Sequence, residues 1–263
     1  MTRLLGKLPF QPDRRDLKLA LYLDKAALID RGQAPRLADW AAMPLPSMAR
    51  PRADTDPLFN DQAGCCVYSA AGHLVKLQAQ HTSRPELIVT PGMVRDAYSA
   101  GTGYDPTTGA NDNGAYIREM LKGWKADGMW GTRPVAYALV NKADPEEVAL
   151  ASWLGGGLIG GYQLPAASQG QTDEHGRPQW TVPAGGFPAG QGPGTWGGHA
   201  IYTHGERAGN TWGESLVFDQ PWADACCDEL WFCLVDCWQT AGRAPNGFDW
   251  QQLVTDAEAR SAA

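Results

Sequence analysis

Several features that would assign a function class at once are missing from this chain. No apolar run approaches the length of a membrane span, so no membrane association is expected. The opening residues, Met1 to Phe10, carry neither a long hydrophobic stretch nor a signal-peptide cleavage pattern. A protein folded in a reducing cytoplasm is therefore expected, with a virion as the other setting considered. There is no block of basic residues, and the net charge is −7, which argues against nucleic acid as the main partner. Internal repeats and heptad runs are absent as well. The six cysteines do not form a spaced disulfide framework. Cys65-Cys66 and Cys226-Cys227 are vicinal pairs, and adjacent residues rarely bridge without strain. Only Cys233 and Cys237 have a spacing that suits structural zinc. Neither a metal nor another cofactor is expected.

What is present is enough apolar material for a sizeable core: 43% of 263 residues are hydrophobic. Residues 1–56 are rich in Pro, Arg and Asp, and read as an N-terminal arm or prosegment-like extension lying across a domain formed by residues 57–240. A short helix could span Leu17 to Leu28. Residues 241–263 read as a C-terminal helical tail. Within the domain, Val67, Ala70, Ala71, Leu74 and Leu77 fall at helical spacing after Cys66. Thr90-Pro91 and Asp144-Pro145 each place a side-chain cap before a proline at the first helical position. Asp112 or Asn113 is expected to cap a further helix that stops at Gly128.

Gly155 to Leu164 predicts a buried strand. Residues 165–198 form a long Gly/Pro/Gln-rich loop, a length more often functional than not. The apolar runs at His199–His204, Leu216–Phe218 and Leu230–Val235 then predict an antiparallel meander. Helices first and strands second give an α+β fold of two sub-lobes with a cleft between them.

Two positions carry chemistry. Cys66 opens an apolar helix, where the helix dipole favours a thiolate. His199 lies 133 residues later, at the start of an apolar strand. An imidazole beside a thiol can take its proton and later protonate a leaving group. The plainer alternatives are a small buried cysteine and a core histidine bonded to backbone. Cys65 competes with Cys66 for the nucleophile role. The other four histidines, His73, His81, His175 and His204, are read as ordinary.

These segments together resemble the papain-like cysteine peptidases, closest to a bacterial and phage branch. The resemblance covers roughly residues 6–238. It rests on Leu8-Pro9-Phe10-Gln11-Pro12-Asp13-Arg14-Arg15-Asp16 in the arm, and on Gly64-Cys65-Cys66-Val67-Tyr68-Ser69-Ala70 at the nucleophile. Gly103-Tyr104-Asp105 and Asp112-Asn113-Gly114 resemble the mid-chain loop, and Gly197-Gly198-His199-Ala200-Ile201 resembles the histidine strand. The gap from cysteine to histidine agrees with the family's order.

The resemblance implies a two-lobed fold, with the cysteine on the helical lobe and the histidine on the β lobe. It implies Cys66 as nucleophile and His199 as base. An amide six residues before the nucleophile would hold the oxyanion. That position is Asn60, with Gln62 as the alternative if the loop is two residues shorter. A third side chain would orient the imidazole. Asn210-Thr211-Trp212-Gly213 resembles the family's segment, but it lies where a hairpin turn is expected and is read as a decoy. Gln220, in Gln220-Pro221-Trp222-Ala223, is expected in the orienting role, with Asp219 as its rival and Trp222 as the indole that shields the pair.

The expected function is a thiol-dependent hydrolase that cleaves amide bonds in a protein or a cell-wall peptide. The rival is the same fold with a degraded site, serving as a structural or binding component, for instance in a phage particle. The altered amide positions favour the rival, and Cys66 with His199 favours the enzyme.

Overall fold

The computed structural model describes residues 3–22, 25, 28, 56–82, 84, 86–204, 207–238, 251 and 255. All but two residues of the expected C-terminal tail, and four of the twelve residues of the expected Leu17–Leu28 helix, lie outside the described residues. A single 3-10 turn, Leu19–Leu21, is seen there.

Five α-helices and seven strands are described. Helix α1 runs Cys66–His81, α2 Pro91–Thr102 and α3 Ile117–Asp127. Strand β1 (Pro134–Leu139) and helix α4 (Pro145–Gly155) follow. Then come β2 (Leu158–Leu164), β3 (Gln179–Trp180), β4 (Gly197–His204), β5 (Ala208–Thr211) and β6 (Glu214–Phe218). Helix α5 (Gln220–Cys226) and strand β7 (Cys227–Val235) close the domain. The helices form where local chemistry specifies them. Thr90 accepts the Met93 N–H to cap α2, and Asp144 accepts the N–H groups of Glu146 and Glu147 to cap α4. The expected cap of α3 is not one. The helix starts at Ile117 after Tyr116, and Asp112 is used elsewhere.

The strands form one sheet in the order β1-β7-β2-β4-β5-β6-β3. Only β3 on β6 is parallel. The expected meander is therefore partial. It holds for β4-β5-β6, whereas β7 returns to lie between β1 and β2. Strand β1, helix α5 and strand β5 are short or irregular in hydrophobic pattern, which is why periodicity does not reveal them.

Strand alternation divides the core between the two faces of the sheet. Ile159, Ala200, Tyr202, Trp231 and Cys233 pack with α1, α2 and α3. Leu158, Ile201, Leu230, Phe232 and Leu234 face the other way, with Leu150 and Leu154 of α4 and Trp222 of α5. Helix α1, almost wholly buried, lies against β4. That packing brings the start of α1 to the start of β4.

Candidate active site

Cys66 is the first residue of α1, and its neighbour Cys65 occupies the cap position. The turn before it is held in an uncommon conformation. Leu58 and Phe59 both have positive φ, at 49° and 70°. Asp112 pins the loop from the side, its two oxygens accepting the Gly64 N–H at 3.0 Å each. The Tyr98 hydroxyl donates to Asp112 at 2.7 Å and accepts the Gly114 N–H at 3.0 Å.

The two adjacent thiols diverge. Cys65 Sγ turns inward toward the Leu58 carbonyl and the Ser69 hydroxyl. Cys66 Sγ meets β4, where it accepts the Ala200 N–H at 3.4 Å. The nucleophile candidate thus touches the residue next to His199. His199 itself lies wholly buried, and its Nδ1 has no hydrogen-bond partner. No hydrogen bond joins Nδ1 to the thiol.

The other ring nitrogen corrects the sequence reading. His199 Nε2 lies 2.5 Å from Thr211 Oγ1. Trp212 stacks on the imidazole with ring centroids 4.1 Å apart and planes 15° from parallel. Both residues come from the segment read as a decoy. The expectation of a hairpin there was sound: Thr211 pairs with Glu214, and Trp212 and Gly213 form the two-residue turn with φ of 49° and 75°. The inference that a hairpin could not serve the histidine fails, because β5 pairs with β4 and carries the turn back alongside His199. A positive φ is costly for a bulky residue. Trp212 is held in it by the imidazole stack and by its Nε1–H, which donates to the Leu4 carbonyl at 2.9 Å.

Gln220 is not near the imidazole. It is the first residue of α5, half-buried, and donates to Asp224 at 2.7 Å. Asp219 caps the same helix through the Trp222 N–H at 2.7 Å. Trp222 packs against Tyr162 and donates to Ser168, not to the histidine pair. The segment Gln220-Pro221-Trp222-Ala223, expected to orient the imidazole, is instead the start of a helix capped by Asp219. The signal that could have found Thr211 was the sequence Asn-Thr-Trp-Gly itself.

On the opposite wall, Asn60 is buried, and its Nδ2 donates to the Leu4 carbonyl at 3.3 Å and the Ala63 carbonyl at 3.0 Å. Gln62 is exposed. Of the two amides, Asn60 is the one that faces the chain crossing the cleft.

That chain is the protein's own arm. Residues Leu4–Leu8 pass between the two walls in extended form. Lys7 N–H donates to the Gly198 carbonyl at 3.1 Å, and the Gly6 carbonyl accepts the Ala115 N–H at 2.7 Å. Leu8 N–H donates to the Ala115 carbonyl at 2.9 Å. The slot is so narrow that a Cβ on Gly6 would stand 1.7 Å from the Gly64 carbonyl oxygen, and one on Gly198 would stand 2.1 Å from that of Lys7. Further along, Asp16 receives Arg118 at 2.8 and 2.5 Å, and Leu17 and Leu19 enter the core.

Burial sets the protonation states. Desolvation pushes the Cys66 thiol up to about 11, although N–H groups of Ala200 and Gly6 and the charge of Lys7 favour its thiolate. Desolvation likewise pushes His199 down to about 3. With the arm in place, the pair is a neutral thiol and a neutral imidazole. The remaining cysteines are also buried and free. Among the described residues, no group of three or more His, Cys, Asp or Glu side chains is arranged to hold a metal ion.

No family model matches the chain, and no curated protein matches it in sequence. Among solved structures, it is similar to xylellain, a cysteine protease from Xylella fastidiosa. The TM-score is 0.56 at 14% identity, over 89% of this chain and 97% of that one. At that identity the likeness is one of architecture: this chain has an α+β fold like that of a cysteine protease.

Proposed function

We propose that the protein is a papain-like thiol hydrolase that cleaves peptide bonds, kept latent by its own N-terminal arm. The observation that carries this reading is the arm itself. The segment Leu4–Leu8 runs beside Cys66 and the start of β4, bonded through its backbone to Gly198 on one side and Ala115 on the other. A groove that holds one peptide in this way suits another of the same form.

In the open state, water and substrate would restore the ordinary acidities of both groups. The Cys66 thiolate attacks the carbonyl carbon, and His199 takes the thiol proton and returns it to the leaving amine. Asn60 Nδ2 and the Cys66 N–H at the head of α1 stabilise the oxyanion. Thr211 fixes the imidazole through Nε2, and Trp212 shields that bond. The arm escapes cleavage because its Gly6 N–H, rather than a carbonyl carbon, is turned to the sulfur. The substrate is a protein or a cell-wall peptide.

One observation favours the rival reading of a non-enzymatic binding or structural component. The residue on the imidazole is a hydroxyl instead of an amide, and His199 Nδ1 lacks a partner.

The test is to open the cleft. A Gly6→Val substitution cannot fit beside Gly64. The full chain carrying it should alkylate Cys66 with iodoacetamide faster than the parent, and should hydrolyse an unfolded protein substrate. An opened chain that neither alkylates nor hydrolyses would leave the non-enzymatic reading standing.

A further inference from the structure

Lys7 is an arm residue whose side chain enters the β-sheet side, beside Gly161, as that of Leu5 does beside Gly197. Its side chain has no exposed surface. Its Nζ lies 2.6 Å from Asp228 Oδ2 and 3.1 Å from Glu229 Oε1. Both carboxylates are held from behind. Gln163 Nε2 donates to Asp228 Oδ2 at 2.8 Å, and Trp231 Nε1 donates to Glu229 Oε2 at 2.6 Å.

The space is made by a missing side chain. A Cβ on Gly161 would stand 2.2 Å from Lys7 Cε, 2.6 Å from Glu229 Cγ and 2.9 Å from Asp228 Oδ1. The result is a narrow pocket lined by glycine and floored by acid. Its mouth opens on the backbone that hydrogen-bonds Gly198, the residue before His199.

We propose that this pocket is a substrate subsite for a cationic side chain, a lysine or an arginine, and that Lys7 fills it in the closed form. The proposal rests on the hydrolase reading above and adds the substrate class. Two carboxylates against one ammonium leave the pocket with an excess negative charge. Asp228 Oδ1 is buried and accepts no hydrogen bond. That spare acceptor suits a guanidinium, whose planar fork of donors engages two oxygens at once. Once the arm leaves, two neighbouring carboxylates face each other in a partly dry site, which itself favours another cation. A neutral or acidic side chain there would leave buried charge unpaired and is rejected for that reason.

The experiment uses the full chain with Lys7→Ala, which empties the pocket. The probe is n-propylammonium, which matches the three carbons and the nitrogen that the substitution removes, with n-propanol as the neutral analogue of equal length. The ammonium should raise the melting temperature of Lys7→Ala by several degrees. Neither the parent nor the triple variant that adds Asp228→Asn and Glu229→Gln should respond. Equal shifts from the ammonium and the alcohol, or none from either, would overturn the subsite. If Lys7→Ala does not fold alone, refolding it with each probe gives the same decision. Recovery with the ammonium only supports the subsite, and recovery with neither overturns it.

Peptidyl chloromethyl ketones with arginine or norleucine at the varied position, applied with Gly6→Val added to every variant so that the cleft is open, then read the covalent step at Cys66. Arginine should be favoured at least tenfold in Lys7→Ala, and the preference should vanish in the triple variant. Equal labelling would refute the substrate assignment. Absence of labelling by these reagents and by iodoacetamide would instead refute the thiol-hydrolase reading, while the ammonium result would still decide the pocket.

Discussion

The two walls of the cleft are built differently. The cysteine wall is one continuous segment, Asn60 to Cys66, folded by local bonds and pinned by Asp112. The histidine wall is assembled from parts that meet only through strand pairing: His199 on β4, and Thr211 and Trp212 at the end of β5. In the first wall, sequence spacing is nearly spatial spacing, so the positions of Cys66 and Asn60 could be counted. In the second, register decides, and counting pointed to Gln220, which stands at the head of α5. The acidities sharpen the contrast. Burial pushes the thiol up and the imidazole down, and both move away from a thiolate–imidazolium pair.

The largest expected effect is on the cysteine wall. In the Gly6→Val background, Cys66→Ser should lower peptide hydrolysis by roughly a thousandfold or more with the fold intact, as for a group acting at the reacting carbon. Circular dichroism with initial rates would check this. Cys65→Ser should retain activity, because that sulfur faces Leu58 and Ser69. Comparable losses from both would erase the distinction drawn between the two thiols.

Next is the pH dependence of the closed chain. His199 is held below its unfolded acidity, so the unfolded state binds the extra proton first as pH falls. The stability that depends on a neutral His199 is intact above about 6.5 and is lost progressively as pH drops toward about 3. The loss is on the order of a few kcal/mol. Cys66 acts at the other end. Its raised value means that stability falls as pH climbs from about 9 toward about 11, as the unfolded thiol ionises first. Urea midpoints against pH should show the acidic limb flattened in His199→Gln and the alkaline limb reduced in Cys66→Ser. Unchanged limbs would mean that the arm does not dehydrate the pair.

Smaller effects separate the two candidates for the histidine wall. Thr211→Val keeps the shape and removes the hydroxyl on Nε2, and should cost about tenfold or more in rate, as loss of an orienting partner does. Thr211→Ser should restore most of it. Gln220→Ala should be nearly silent, within about 0.5 kcal/mol in stability, as expected of a half-buried side chain whose one partner, Asp224, is at the surface. The opposite ranking would return the orienting role to Gln220.

The sequence by itself determined whatever local chemistry controls. Thr90 and Asp144 cap their helices because a short polar side chain before proline satisfies free N–H groups without help from the rest of the fold. Cys66 opens α1 for a similar reason, since the apolar spacing behind it can be buried in only one register. The alternation of Ala200, Ile201 and Tyr202 likewise assigns them to opposite faces.

Tertiary structure alone decided what depends on distant segments. Thr211 reaches His199 because β5 pairs with β4, and a turn residue is brought beside a strand residue by register rather than by spacing. Lys7 meets Asp228 and Glu229 across more than two hundred residues of chain. The acidities of Cys66 and His199 are set by the burial around them, and burial is a property of the assembled fold.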